Sequence, residues 1–182
     1  MVSAIDGIGR HGGPSAVACL LGEQSASRSA PVSVAWSLSS DGRPDAFDGY
    51  RQSLADFYDV SDAVAVTTGF SSRTTAYRFG TCSLGRGRSV AQTLTRSPAQ
   101  IARSGIDHIS VIINRTRTVG DCDGRSLEAA AGTVQFRDLT RPSATRAEGI
   151  DTLNLMVPRT SLPSWMPGRG LHDRRAAPAN GW

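Results

Sequence analysis

The chain has 182 residues, a formal net charge of +4 and 39% hydrophobic side chains. This length suits one domain, and counting Gly in place of Tyr brings the apolar share into the range of about 45–50% that is typical of folded soluble proteins. No apolar run approaches the roughly 18 residues that a membrane-spanning helix needs, so we expect no membrane partner.

All 20 basic residues are arginine. The absence of lysine excludes a P-loop phosphate site and Schiff-base catalysis, because both need a lysine amine. The arginines are spread among acidic residues, whereas neutralising a nucleic acid backbone needs a concentrated basic patch. We therefore interpret the positive charge as a solvated surface.

The three cysteines, Cys19, Cys82 and Cys122, are far apart and form no C-x-x-C pair. This pattern argues against a disulfide framework and against a zinc cluster. The amino terminus lacks a charged start followed by a clean apolar core, so we predict no signal peptide and a cytoplasmic location.

Small and polar residues dominate the start of the chain, and we predict a loosely ordered leader over residues 1–40. Gly7–Gly12 matches the G-x-G-x-x-G pattern of dinucleotide sites. That motif works only between a strand and a helix, and so close to the chain start there is no room for the strand. We interpret the match as chance.

The first predicted element is an amphipathic helix that begins near Pro44, a residue suited to a first helical turn. Phe47, Tyr50, Leu54 and Phe57 recur at helical spacing and give one apolar face over about four turns. We expect this face to pack against the elements that follow.

Beyond the helix the pattern changes to short strands. Alternation over Tyr77, Phe79 and Thr81 predicts a strand, Gly85–Arg88 a turn, and Val90–Leu94 the returning strand of a hairpin. Further predicted elements are strands at Ile109–Ile113, Thr116–Val119, Thr133–Phe136 and Thr152–Val157, and a tight turn at Asp123-Gly124. Short strands separated by Gly, Asp and Pro predict an antiparallel sandwich or barrel.

No catalytic, cofactor-binding or metal-binding residue is predicted. Of His11, His108 and His172, only His108 falls in the predicted β region, and one His cannot build a cupin-type metal site. The neighbouring Asp107 should point to the opposite face of the strand, so the two would not form an acid–base pair. There is no G-x-S-x-G nucleophile motif.

The ligand-binding residues are unknown at this stage. A hollow barrel is a natural container for a small molecule, and its cavity would be lined by inward positions of the strands at 77–83, 90–94, 109–113 and 133–136. Sequence does not decide which alternate residues point inward. We interpret Arg141-Pro142 and Pro158-Arg159 as strand endings.

Several motifs follow one another in a recognisable order between Ala46 and Trp165. They are the Phe47–Phe57 helix, the Tyr77–Leu94 hairpin leading into Arg96-Ser97, Asp107-His108 before an apolar strand, Gly124-Arg125, Ala131–Val134 ahead of Asp138–Pro142, and Leu155–Arg159 ahead of Leu162. This order resembles the ligand-binding amino-terminal domain of AraC-family transcription regulators.

The resemblance implies a mainly β fold, a cupin-like antiparallel β-barrel (double-stranded β-helix or jelly roll) preceded by one amphipathic α-helix. It places this regulatory domain at 41–165. The repeated Pro and Gly residues after Pro158 and the lack of an apolar period separately predict an irregular tail at 166–182. It also implies an effector-sensing or dimerisation domain rather than an enzyme, with a small-molecule effector and a homodimer or full-length regulator as possible partners. The family's helix-turn-helix half would lie beyond Trp182, so we expect no direct DNA binding by this chain.

Three other readings remain open from the sequence. One is a stand-alone cupin-like enzyme, which would require a bound metal. The second is a truncated regulator fragment that acts only in dimerisation. The third is a fragment with no independent role. The effector itself and the direction of regulation are not predicted.

Overall fold

The structure, a computed structural model, describes residues 32–41, 43–61, 69–164, 166 and 174–176 of the chain. The Gly7–Gly12 motif, Cys19 and most of the predicted leader lie outside these residues, as do Trp165 and most of the predicted tail.

The described residues form twelve strands, two α-helices and one 3-10 turn. The strands are β1 (Val32–Ser39), β2 (Asp59–Ser61), β3 (Ser71–Phe79), β4 (Cys82–Ser89), β5 (Gln92–Arg96), β6 (His108–Asn114), β7 (Thr118–Cys122), β8 (Arg125–Ala129), β9 (Val134–Asp138), β10 (Ser143–Ala147), β11 (Ile150–Pro158) and β12 (Arg174–Ala176). The helices are α1 (Ala46–Leu54) and α2 (Pro98–Ser104), and the 3-10 turn is Arg159–Ser161.

The strands form two antiparallel sheets. The seven-stranded sheet has the order β1-β3-β4-β11-β6-β9-β12, and the five-stranded sheet has the order β2-β5-β10-β7-β8. Chain segments cross repeatedly between the two sheets, as in a jelly roll. Helix α1 precedes every strand except β1. The predicted class, a mainly β, cupin-like fold with an amphipathic helix near its start, is confirmed.

Helix α1 is shorter than predicted. Its buried Tyr50 packs with Phe70, and Phe47 and Leu54 are partly buried against the same cluster. The helix ends at Leu54, and Phe57 lies in the following turn, where it packs in a different cluster with Met156. The apolar spacing of Phe57 therefore reflects burial on a turn rather than a fourth helical turn.

The predicted hairpin turn at Gly85–Arg88 is wrong. These residues lie inside β4, which pairs with β3 on one side and β11 on the other. The chain turns instead at Gly80-Thr81, where Gly80 has φ of 57°, a conformation that suits glycine. Val90-Ala91 is a bend, and β5 joins the other sheet. In β4, Gly85 and Gly87 therefore mark positions where the strand carries no side chain, and they do not form a turn.

Other local predictions agree with the structure. The tight turn at Asp123-Gly124 links β7 and β8, with φ of 55° and 78° at its two residues. The strands predicted at Ile109–Ile113, Thr133–Phe136 and Thr152–Val157 overlap β6, β9 and β11.

Two strands lie outside the predicted domain 41–165. Strand β1 falls in the predicted leader 1–40, yet it pairs with β3 over its whole length. Strand β12 falls in the predicted irregular tail 166–182 and pairs with β9. Backbone pairing on a sheet edge orders both segments. The domain boundaries themselves stay a prediction.

We predict that Phe57→Ala lowers the free energy of unfolding by about 3–5 kcal/mol, since it empties a buried site between Ile106, Leu139 and Met156. Urea titration followed by circular dichroism measures this change. The matched control is Phe79→Ala, because Phe79 is 49% exposed and its loss should cost less than about 1 kcal/mol. A cost of that small size at Phe57 would contradict its assigned packing.

Candidate ligand-binding site

The strand register identifies the inner face of the seven-stranded sheet. Directly opposed residues of antiparallel strands share a face. One such row crosses the sheet from β3 to β9 and consists of Ala76, Gly85, Asn154, Ile112 and Gln135. Ala76, Ile112 and Gln135 are buried, so this face lies towards the other sheet.

The neighbouring row on the same face ends at an arginine. It consists of Ser83, Met156, Ser110 and Arg137, all buried. Arg137 Nη1 donates to Thr145 Oγ1 of β10 at 3.4 Å, a contact that joins the two sheets. This contact places the row in the interior of the sandwich.

The five-stranded sheet covers this interior with polar side chains as well. Burial alternates along β10, where Ser143, Thr145 and Ala147 are buried and the residues between them are exposed. Gly120 of β7 lies opposite Thr145, and a Cβ there would be only 2.7 Å from Thr145 Cα. Only glycine allows this close approach of the two strands.

The buried apolar side chains form separate clusters. One surrounds Tyr50 and Phe70 under α1, a second surrounds Phe57 and Leu139, and a third contains Leu127 with its neighbours in β7 and β8. The polar rows of the seven-stranded sheet belong to the interior between these clusters. A folded domain of this size usually has one contiguous apolar core.

The glycines of β4 reduce the side-chain bulk on the inner face. A Cβ at Gly85 would make an ordinary van der Waals contact with Asn154 O at 3.9 Å, and one at Gly87 would contact Thr152 Oγ1 at 3.6 Å. In the same region, Ser110 Oγ donates to Asn154 Oδ1 at 2.6 Å. This part of the inner face therefore presents backbone and short polar groups beside the larger side chains of Ile112 and Met156.

Several buried polar atoms on this interior lack a hydrogen-bond partner among the described residues. They are Gln92 Oε1, Asn114 Nδ2, Thr118 Oγ1 and Gln135 Nε2. Most buried polar groups in native proteins are satisfied, so each such atom requires an explanation. A polar small molecule held between the sheets would supply the missing partners.

A second candidate is an open cleft of about 460 Å³ beside the end of β11. Here Arg159 Nε donates to Asp107 Oδ1 at 2.5 Å, and Arg159 Nη2 donates to Asp138 Oδ1 at 2.7 Å. Asp138 also accepts from the Thr140 hydroxyl at 2.7 Å. The guanidinium of Arg159 thus bridges two carboxylates and joins the ends of β9 and β11, and the three side chains together carry one net negative charge.

The charges in this cleft shift the Asp138 pKa. Burial raises it, but the hydrogen bonds from Thr140 and the ion pair with Arg159 outweigh burial, so the pKa lies below its ordinary value of 3.8. His108 is half-buried, and burial lowers its pKa in spite of Asp107. Asp107 faces Arg159 and not a shared cavity with His108.

A third site is an open cleft of about 430 Å³ between α1 and α2. Arg51 lies 3.4 Å from Asp59 and 3.9 Å from Asp48, so its charge is also compensated. Gln100 Nε2 donates to Ala55 O at 2.7 Å and fastens α2 to the end of α1.

Arg96 holds this end of the molecule together. Its side chain is 1% exposed and donates to Leu139 O, Asp56 O, Phe57 O and Ser104 Oγ at 2.7–3.1 Å. Burial lowers its pKa, but an arginine side chain starts from so high a value that it remains a cation. Every acceptor is neutral, and together they occupy the guanidinium.

The predicted inward segments contain part of this interior. Ser83, Ser110 and Gln135 fall within the strands expected to line a cavity, and the register now decides which alternate residues point inward. Arg137 and Thr145 were missed, because the strand at 133–136 was predicted to end before Arg137 and β10 was not predicted. Arg141 lies 3.0 Å from Asp123 rather than near the interior.

The described residues offer neither a metal centre of several side chains nor a membrane-spanning helix. They contain no group of three or more His, Cys, Asp or Glu side chains that could hold a metal ion. In the same part of the chain, no helix has the length and apolar character needed to cross a membrane.

The two-sheet fold with its polar interior defines a cupin-like β-sandwich. Among solved structures, the chain is similar to the crystal structure of the AraC-like transcriptional activator CuxR, with a TM-score of 0.63 and 25% sequence identity. The match covers 70% of this chain and 48% of the activator, so the chain spans about half of that protein's length. The resemblance to AraC-family regulators is confirmed. No protein-family model and no curated protein matches the sequence.

We predict that Arg96→Met lowers the free energy of unfolding by at least about 3 kcal/mol. It removes one cation and leaves three buried backbone carbonyls without their donor. Chemical denaturation measures the loss. Arg73→Met is the control, because Arg73 is exposed on β3 and its replacement should change stability by less than about 0.5 kcal/mol. Equal effects of the two variants would contradict the role of Arg96.

The lowered pKa of Asp138 predicts a pH dependence. As the pH falls, the Asp138 carboxylate is protonated in the unfolded chain before it is protonated in the folded chain. The stabilisation that Asp138 provides is therefore complete above pH 3.8. It is lost as the pH falls from there through the lower pKa of the folded state. Asp138→Asn should cost about 3 kcal/mol at neutral pH, with a gap that closes in acid. Thermal unfolding from neutral pH to pH 2.5 tests this. Asp45→Asn, at a 71% exposed side chain, should show no such gap.

Proposed function

We propose that this chain is the effector-sensing domain of an AraC-type transcription regulator. The carrying observation is the polar interior, in which Gly85 carries no side chain beside Asn154 and Gln135 Nε2 has no partner among the described residues. The similarity to an AraC-like activator supports the regulator class. A cytoplasmic site of action agrees with the free thiols of Cys82 and Cys122.

A sensing role accounts better for the interior than catalysis does. The charged side chains outside it, such as Arg159 with Asp138 and Arg51 with Asp59, are paired and hold elements together. In the first cleft the Thr140 hydroxyl does contact the Asp138 carboxylate, but that carboxylate also accepts from Arg159, so its lone pairs serve structural contacts. We therefore propose a domain without enzymatic activity, whose output is a change in the population of regulator states.

DNA reading would be performed by a separate unit. In the described part of the chain, α1 and α2 are separated by four strands and do not form an adjacent helix-turn-helix pair. We propose that this chain does not bind a specific DNA sequence by itself.

Dimerisation is the second candidate, and the outer face of the seven-stranded sheet favours it. Tyr77, Phe79, Ile113 and Leu153 are each 37–49% exposed there, and the strand register puts Ile113 directly opposite Leu153. Exposed apolar side chains grouped on one sheet face are typical of interaction surfaces. The occupant we infer is a second copy of the chain.

The test is a thermal-shift screen of the purified chain against neutral sugars, small organic acids and aromatic metabolites. A ligand at about 100 times its Kd raises stability by roughly 2.7 kcal/mol, which is several degrees in Tm. Asn154→Leu, which fills the space beside Gly85 with an apolar side chain, should abolish the shift. Gln52→Leu, in the cleft between the helices, is the control and should preserve it.

Three experimental results would contradict parts of the proposed function. A concentration-dependent dimer in sedimentation, with no stabilising compound, would replace sensing by dimerisation alone. Stoichiometric transition metal in the purified protein would support the cupin-like enzyme. Sequence-specific binding to a promoter fragment would contradict the proposed division of labour.

A further inference from the structure

Among the described residues, the buried cation Arg137 has no ion-pair partner. Its residue is 5% exposed, and the ion pairs of the described residues do not include it. Its two hydrogen bonds go to neutral acceptors, Thr145 Oγ1 at 3.4 Å and Gln135 Oε1 at 3.1 Å. A guanidinium has five N–H donors, and a buried charge without compensation is costly.

Arg96 shows how this protein satisfies a buried arginine when the role is structural. Arg96 has four acceptors at 2.7–3.1 Å, three of them backbone carbonyls from segments that it joins. Arg137 has two acceptors, both flexible side chains, and the longer contact is close to the limit for a hydrogen bond. The two arginines differ in coordination, although both are buried.

The adjacent carboxylate does not compensate Arg137. Asp138 is the next residue along β9, and successive strand residues point to opposite faces. Its Oδ1 accepts from Arg159 and from Thr140 at 2.7 Å each, outside the sandwich interior. The negative charge of Asp138 is therefore engaged on the far side of the strand.

A second donor lies beside the guanidinium. Gln135 is 1% exposed, and its Oε1 accepts from Arg137, while the Nε2 of the same amide has no partner among the described residues. Ser110 lies directly opposite Arg137. The group is rich in donors and holds one positive charge.

We propose that Arg137 binds the carboxylate of a small organic monoanion between the two sheets, with Gln135 Nε2 as a second donor. This inference rests on the proposed sensing function and names the ligand class for that interior. The planar guanidinium matches a carboxylate in bidentate geometry. A single cation balances a single negative charge, which favours a monocarboxylate over a phosphate dianion.

The test compares acetate with acetamide, which has the same shape and no charge. Acetate should raise the Tm of the wild-type chain by at least about 2 °C in a saturable manner, whereas acetamide should not. Arg137→Met should lose the saturable rise. Arg146→Met is the matched control, since Arg146 is exposed on the opposite face of β10 from Thr145, and it should respond like the wild type.

The inference also predicts how Arg137→Met changes the Tm in the absence of acetate. An apolar side chain of similar volume replaces an uncompensated charge, so the Tm in buffer alone should stay the same or rise. A fall as large as that of Arg96→Met would overturn the inference, because it would show that Arg137 already has its structural partners. Arg137→Lys, which keeps the charge but not the planar fork, should retain a weaker acetate response.

Wild-type protein alone provides a second readout that needs no variant. Saturation-transfer NMR should show transfer to the acetate methyl signal and none to acetamide, and inorganic phosphate should compete weakly. Absence of transfer, or equal acetate shifts in wild type and Arg137→Met, would overturn the carboxylate site. Stabilisation by a neutral sugar without any acetate response would overturn it while leaving the sensing function intact. Absence of stabilisation by every compound would overturn both.

Discussion

Satisfying the buried charge of Arg96 constrains the whole end of the molecule where the helices meet the sheets. A guanidinium at 1% exposure needs acceptors from the protein, and here they come from three separate segments. Asp56 and Phe57 supply carbonyls just after α1, Leu139 supplies one after β9, and Ser104 supplies a hydroxyl at the end of α2. Because one rigid planar group bonds to all of them, none of these segments can move independently.

The middle of the sandwich follows the opposite principle. Gly85 and Gly87 remove side chains from the inner face, and Asn154 and Gln135 place amides there instead of apolar groups. Buried amides and hydroxyls contribute to stability only when they are paired. The fold is thus stabilised by its apolar clusters and by Arg96, while several buried polar atoms of the interior, such as Gln135 Nε2, have no partner among the described residues. That contrast distinguishes the scaffold from the site.

Sequence predicted the class of the fold because its periodic signals are local. The apolar spacing from Phe47 to Leu54 follows from which face of α1 is buried. Gly85 and Gly87 led to the wrong prediction of a turn, since glycine occurs both in turns and inside strands where no side chain is accommodated. Arg137 could not be identified as a candidate ligand contact. That assignment depends on its hydrogen bonds to Thr145 and Gln135 and on its having no carboxylate partner among the described residues. Those are properties of strand register, which two short strands do not reveal from sequence.

Strand β9 connects the interior with the outer surface. Arg137 points into the sandwich, while Phe136 belongs to the outer row that runs through Val111, Leu155, Leu84 and Tyr77. A displacement of β9 therefore moves an interior group and an outer apolar side chain together, without passing through a loop. A ligand changes such an equilibrium only if it binds one arrangement of β9 more tightly than the other. Coupling free energy between two binding events is reciprocal. A ligand bound in the interior can therefore control dimerisation only if the second copy, bound to the outer row, also has different affinities for the same two arrangements of β9.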